Sequence, residues 1–277
     1  LHERWHSFPT RRSSDLNHLL GLTQLEYIQL QNKVTTVCRY SLDEAENEWE
    51  YTEAGQKLVE KSASLENRNE SLVILDSAIP SNIPGHDLVD KAKISDFIAL
   101  VCDIRKSTQR LSTNLVDARV NGIQRVFYET SALLPSLEVV IDHFSGSVTE
   151  YLGDGVLGFF PYLNDDDLYN SYYASIGCME MVRTIVNSEI KSRYNLPPLD
   201  IGIGMACGPA MVRKVAKKHV KAFGRCVWTA SKLSGGTNLI LIDDILRGKW
   251  PSSQNGAINF RTKQLSKNVE GYKLYPQ

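Results

Sequence analysis

Five consecutive apolar residues, Phe97-Ile98-Ala99-Leu100-Val101, run without a polar interruption into a segment that ends on Asp103. A strand with one face in water alternates apolar and polar side chains. An unbroken run instead belongs at the centre of a sheet covered by helices. Residues 94–103 are therefore read as a central strand, and a regular α/β alternation follows it. Helical periodicity covers about 106–111 and 119–143, and strands are expected at 147–152 and 156–160 around the turn tripeptide Gly153-Asp154-Gly155. A long amphipathic helix over 165–193 stops before Pro197-Pro198.

The spacing then predicts strands at 199–205 and 210–216, a loop to Gly224, and a helix over 225–234 that ends at Gly235-Gly236. A strand at 237–242, a short helix at 243–249 and strands at 257–263 and 271–275 close the chain. The order β-α-α-β-β-α-β-β-α-β embeds hairpins among crossover helices. It implies an α+β, ferredoxin-like fold with an antiparallel-rich sheet and helices on one side.

The N-terminal third has a different texture. Residues 1–16 look like translated sequencing-adapter sequence, are expected to be non-native and disordered, and are set aside, so the true N-terminus is expected to lie elsewhere. Residues 17–90 form an N-terminal helical extension and connector, and 91–277 the main domain. Within the extension, 17–34 is helical in spacing, while 43–70 has few apolar anchors and reads as a solvated helix or loose connector. A short apolar run at Leu72–Leu75 leads to a turn cluster from Pro80 to Gly85.

Composition excludes several function classes. With 31 basic and 32 acidic residues the net charge is −1, so no global field recruits nucleic acid or an anionic membrane. The apolar runs fall far short of the roughly 20 residues that span a bilayer. The first residues lack the apolar core of a secretory signal. Five cysteines without metal-type spacing read as reduced, mostly buried thiols, and a cytoplasmic location is expected.

Three ordered blocks carry a resemblance. The first, Ala99 to Thr108, contains Asp103 and Ile104 and is like "ADI-x-G-F-T". The second runs from Phe144 through Gly146 and Gly153-Asp154-Gly155 to Phe160, like "G-G-x-v-x-K-x-x-G-D-g-x-l-a-x-F". The third runs from Ile201 to Gly208 and from Phe223 to Leu233, like "I-G-I-H-T-G … v-G-d-x-V-N-x-A-x-R-L". Together they resemble class III nucleotidyl (adenylate and guanylate) cyclases over residues 94–275.

The resemblance implies that a nucleoside triphosphate is closed into its 3′,5′-cyclic monophosphate with loss of pyrophosphate. This is a phosphoryl transfer carried by positioning and charge neutralisation. It implies two divalent ions, Mg²⁺ or Mn²⁺, on Asp103, Asp154 and the carbonyl of Ile104. Taken alone, Asp103 also reads as a helix N-cap. Ser107 and Thr108 open the next helix and are placed to cradle phosphate. Arg105 and Lys106 read as phosphate grips or as a solvated helix face. By alignment Lys217 falls near a phosphate-binding base, and it reads equally as surface.

The family also implies a homodimer with active sites at its interface, metal carboxylates coming from one protomer and base and transition-state residues from the other.

The sequence departs from the family at the base and ribose positions. Glu150 and Lys221 stand where purine cyclases read the base. Glu offers acceptors and Lys donors, so the pair suits a base edge with both an N–H and a carbonyl; a structural ion pair is the other reading. Trp228 replaces a ribose-orienting Asn. Lys232 replaces a transition-state Arg, keeping the charge without the bidentate fork. Arg225 restores that fork or is a solvated side chain.

These departures are similar to those of the pyrimidine cyclases of bacterial Pycsar anti-phage systems. They imply UTP first and CTP second, and a downstream effector that senses the cyclic product. A purine cyclase in ordinary signalling, and a degenerate fold that only binds nucleotide, are the alternatives.

Overall fold

The structure, a computed structural model, describes residues 13–51, 55, 57–60, 93–113, 115, 117–216, 219–250 and 258–276. Its centre is an eight-stranded sheet built from β1 (Lys93–Ile104), β2 (Ser147–Tyr151), β3 (Gly155–Pro161), β4 (Ile201–Ala216), β5 (His219–Phe223), β6 (Leu239–Ile242), β7 (Ile258–Ser266) and β8 (Val269–Pro276). The strand order is β2-β3-β1-β4-β6-β8-β7, with β5 paired to β4. Every pairing is antiparallel except β4 with β6. The apolar run does sit at the centre: Phe97 through Cys102 are at most 2% exposed, with β3 on one side and β4 on the other.

Alternate residues of β1 feed two separate apolar layers. Ile98, Leu100, Cys102 and Ile104 join the larger one, which α4 (Gly122–His143) covers. Further along, a π-helical turn, Gly177–Val182, joins α5 (Asp165–Ile176) to α6 (Arg183–Tyr194), where sequence predicts one continuous α-helix. Phe97, Ala99 and Val101 join a smaller layer on the opposite face, beneath α7 (Arg225–Leu233). Helices therefore lie on both faces, not on one. The reason is local. A Cβ on Gly202 or Gly204 of β4 would run into the carbonyls of Ser234 or Ala230, so these glycines let α7 settle directly on the sheet. Cys226 and Ala230 complete the close contact.

Two other expectations change. Residues 199–205 and 210–216 belong to one strand, β4, which runs through Gly208 and Pro209 because β1 pairs along it from Ile201 to Val212. The loop expected before Gly224 contains β5, which folds back on the end of β4.

The N-terminal helices share the larger core. α1 (Ser13–Leu19) contributes Leu16 to it, the turn that follows contributes Leu20, and α2 (Gln24–Tyr51) contributes Tyr27, Leu30, Val34, Cys38, Leu42, Ala45 and Trp49. Thr23 and Glu26 cap α2 reciprocally: the Thr23 N–H donates to Glu26 at 2.8 Å and the Glu26 N–H to Thr23 Oγ1 at 3.3 Å.

Residues 43–51, expected to be solvated, continue α2 and bury Ala45 and Trp49, the Trp49 ring lying tilted against Phe127 of α4 with 5.6 Å between centroids. The segment set aside as 1–16 ends inside α1, where Leu16 is buried; residues 1–12 lie outside the described residues. So do 61–92, with the Leu72–Leu75 run and the Pro80–Gly85 turn. All five cysteines are free and buried, as their spacing implies. Among the described residues no helix is long and apolar enough to cross a membrane.

Candidate active site

Asp103 lies on β1 opposite Gly155, in the same alternation as Phe97, Ala99 and Val101, and so on the α7 face. The β2–β3 turn brings Asp154 to it. Gly153 takes φ +80°, which a glycine adopts without strain. A Cβ on Gly155 would strike the Cys102 carbonyl and crowd Asp103 Oδ1, so this glycine keeps the turn tight against β1. The N–H of Ile104 donates to the Asp154 carbonyl at 3.2 Å, stitching the two segments together, while the Ile104 side chain is buried.

Burial and the facing Asp154 carboxyl, which shares a hydrogen bond with it, push the Asp103 carboxyl well above its ordinary range; Arg105 and Lys267 pull the other way. Two carboxyl groups held together in partial burial are relieved either by sharing a proton or by positive charge nearby. Their hard oxygens are the donor set that Mg²⁺ takes from a protein, with phosphate and water oxygens completing it. Two carboxylates suffice for such an ion, and no cluster of three or more metal-ligating side chains occurs among the described residues. Asp103 and Asp154 thus fit a divalent cation, and the carbonyl of Ile104 follows directly on the first of them.

Arg105 is neither a free phosphate grip nor a solvated side chain. Its Nη1 donates to Asp103 Oδ2 at 3.0 Å and to the Ser234 carbonyl at 3.3 Å. Lys106 is exposed and adopts φ 59°, ψ 32°, the left-handed conformation, at the start of α3 (Ser107–Ser112). Ser107 and Thr108 are the first two residues of that helix, whose N-terminus carries no side-chain cap. Arg110 anchors α3 from behind by a bidentate pair with buried Glu129, at 2.9 and 2.6 Å.

The other sequence candidates fall into pairs. Lys221 Nζ lies 3.1 Å from Glu150 Oε2, joining β5 to β2; Lys221 is half exposed and Glu150 mostly covered. The ion-pair reading of these two residues thus holds in the single chain. Lys232 Nζ sits 5.5 Å from the ring centroid of Trp228, one turn earlier on α7, a cation–π contact; Trp228 is 56% exposed.

Arg225 is not brought to Lys232. It begins α7 about 10 Å along the helix axis from it, and acts electrostatically on Asp243. Lys217 lies outside the described residues. Lys267, in the β7–β8 turn at φ 45°, is a cation near Asp103 that sequence reading missed. The two-residue Lys267-Asn268 turn is its only sequence signal.

No family model matches the sequence, and no curated protein matches it. Solved structures do match the fold. The guanylyl cyclase Cya2 is 20% identical with a TM-score of 0.51, over 67% of this chain and 92% of that one. The adenylyl cyclase CyaB from P. aeruginosa is 17% identical with a TM-score of 0.54, over 68% of this chain and 97% of that one. At such identities the likeness is one of fold. The chain has the catalytic-domain fold of the class III nucleotide cyclases, a mixed sheet flanked by helices.

Proposed function

We propose that this protein is a nucleotidyl cyclase that converts a pyrimidine nucleoside triphosphate, UTP before CTP, to its 3′,5′-cyclic monophosphate and pyrophosphate. The observation that carries the reading is the Asp103–Asp154 pair, two carboxyl groups facing each other on the α7 side of the sheet. Divalent ions bound there, Mg²⁺ or Mn²⁺, supply acidification of the ribose 3′-hydroxyl and neutralisation of the triphosphate.

The chain's own residues do the rest. Asp103, Asp154 and the Ile104 carbonyl offer oxygen ligands. The backbone N–H groups of Ser107 and Thr108, at the start of α3, face phosphate oxygens. Lys232, steered by the Trp228 ring, places a positive charge at the transferring phosphoryl group. Trp228 offers a flat apolar surface to the base or ribose, Arg225 a cation at the start of α7, and Lys217 a further phosphate contact.

Glu150 and Lys221 supply base selection. They stand side by side, one acceptor and one donor. The pair is partly exposed and so holds itself with only about 0–1 kcal/mol, which leaves room for a base edge to bridge it. Uracil gives its N3–H to Glu150 and accepts from Lys221 through a carbonyl. Adenine has no carbonyl and offers Lys221 only its N1 lone pair beside the N6–H; because Lys221 is half exposed, that difference is worth at most about 1 kcal/mol, roughly fivefold in preference. Guanine presents the same donor–acceptor edge and is the second reading.

The active form on this reading is a homodimer, with exposed Phe223, Trp228 and Leu152 available to the partner. The product serves a separate cyclic-nucleotide-sensing effector in anti-phage defence, as in the Pycsar systems that the sequence resembles. Incubation with each of the four NTPs and Mn²⁺, with products identified by mass, tests the proposal. Faster formation of cAMP or cGMP than of cUMP and cCMP sinks the pyrimidine assignment. No cyclic product from any NTP sinks the enzyme.

A further inference from the structure

Arg105 occupies a built seat. Its backbone N–H donates to the Asp200 carbonyl at 2.8 Å. Its side chain, 18% exposed, lies over Gly202, where a Cβ would crowd Arg105 Cδ and strike the Ser234 and Gly236 carbonyls. From that seat one nitrogen, Nη1, reaches both Asp103 Oδ2 and the Ser234 carbonyl just beyond the end of α7. A guanidinium has donors only and keeps its charge. A divalent ion on Asp103 needs lone pairs of the same carboxylate and repels the same guanidinium.

We propose that Arg105 is an internal placeholder cation. It holds Asp103 Oδ2 in the metal-free protein and leaves it when a divalent ion binds, while its second contact ties that exchange to the end of α7. The inference deepens the reading of Asp103 and Asp154 as metal ligands. Arg105 acts through Asp103 and is a positioning residue. It lowers affinity for the ion, prevents two bare carboxylates from facing each other, and registers ion binding on the helix that carries Trp228 and Lys232.

The test is a Mn²⁺ titration of the full chain without nucleotide, following free Mn²⁺ by electron paramagnetic resonance. Arg105→Gln removes the competitor and should bind Mn²⁺ about tenfold more tightly than wild type, the scale of one charge-assisted hydrogen bond that no longer has to be broken. Arg105→Lys keeps a charge but cannot bridge both acceptors, and should fall between the two. It carries the test if Arg105→Gln does not fold. Asp103→Ala should lose the binding. Unchanged or weaker Mn²⁺ affinity in the Arg105 variants, with Asp103→Ala still losing it, overturns the placeholder and leaves the carboxylate site standing. Mn²⁺ binding that ignores Asp103→Ala, or none in wild type, overturns both.

Discussion

Lys106 spends conformational energy that its neighbours do not. Its φ of 59° belongs to the left-handed region, which costs an L side chain about 1–2 kcal/mol, and the family pattern has glycine at this place. Lys106→Gly should relieve the strain at the expense of some unfolded-state entropy. The net gain expected is about 0.5–1 kcal/mol, or roughly 2 °C in melting temperature for a chain of this size. An unchanged or lower melting temperature would mean that the surrounding structure already removes the strain. Single residues also mark the limit of sequence reading. Asp103 and Asp154 were legible because each ends or tips a recognisable strand. The grip of Arg105 on Ser234 spans 129 positions, and Lys267 acts electrostatically on Asp103 from near the far end of the chain, so neither leaves a period or motif.

Among the elements, the β2–β3 hairpin was legible from its turn and the central strand from its apolar run. β4 was not, because Gly208-Pro209 punctuates the sequence as a turn while its pairing with β1 carries the strand through. The second half of α2 was misread because its stripe is narrow, with Leu42, Ala45 and Trp49 set among charged residues. Its importance can be measured: Leu42 is fully buried, and Leu42→Ala should cost about 2–5 kcal/mol. Chemical denaturation should show one shifted transition. A separate early transition, or no shift, would make α2 an appendage.

The short helix α8 (Asp244–Lys249) offers a pH test. Asp243 caps it, its Oδ1 accepting from the N–H groups of Leu246 at 2.8 Å and Cys207 at 3.4 Å, and burial raises its carboxyl pKa. A raised folded-state value means that the folded protein holds the proton more tightly. Wild-type stability is therefore lost as pH rises from the ordinary value of 3.8 through the raised one. Asp243→Asn keeps the accepting oxygen without the charge. It should match or exceed wild-type stability at pH 7 by up to about 1 kcal/mol and lose that advantage in acid. Paired melting curves at neutral and acid pH decide it, and a large loss at pH 7 would show that the charge itself is needed.

At the scale of the whole molecule, one large core spans α1, α2, α4, α5, α6 and one face of the sheet, while the site lies on the other, thinly covered face. That asymmetry leaves Trp228 and Phe223 facing outward beside the site, and an isologous pair of chains would cover them twice over. Asp103→Ala and Lys232→Ala chains, each inactive, should recover part of the cyclase activity when mixed, because one mixed site in the heterodimer is intact. An active monomer by light scattering, or no recovery in mixtures that do exchange subunits, excludes the shared site.

The five thiols carry a consequence of their own. Cys38 lies in α2, Cys102 in β1, Cys178 in the π-helical turn, Cys207 in β4 and Cys226 in α7. Burial pushes Cys38 and Cys226 up to about 11 and Cys207 to about 12, and holds Cys102 and Cys178 well above the ordinary thiol range. Thiolate is scarce at each, so an alkylating reagent reacts only when the surrounding layer opens. Each layer therefore contains its own clock. Pulsed alkylation read by mass spectrometry would give the order in which the thin α7 face and the thick helical face come apart, without a single engineered label.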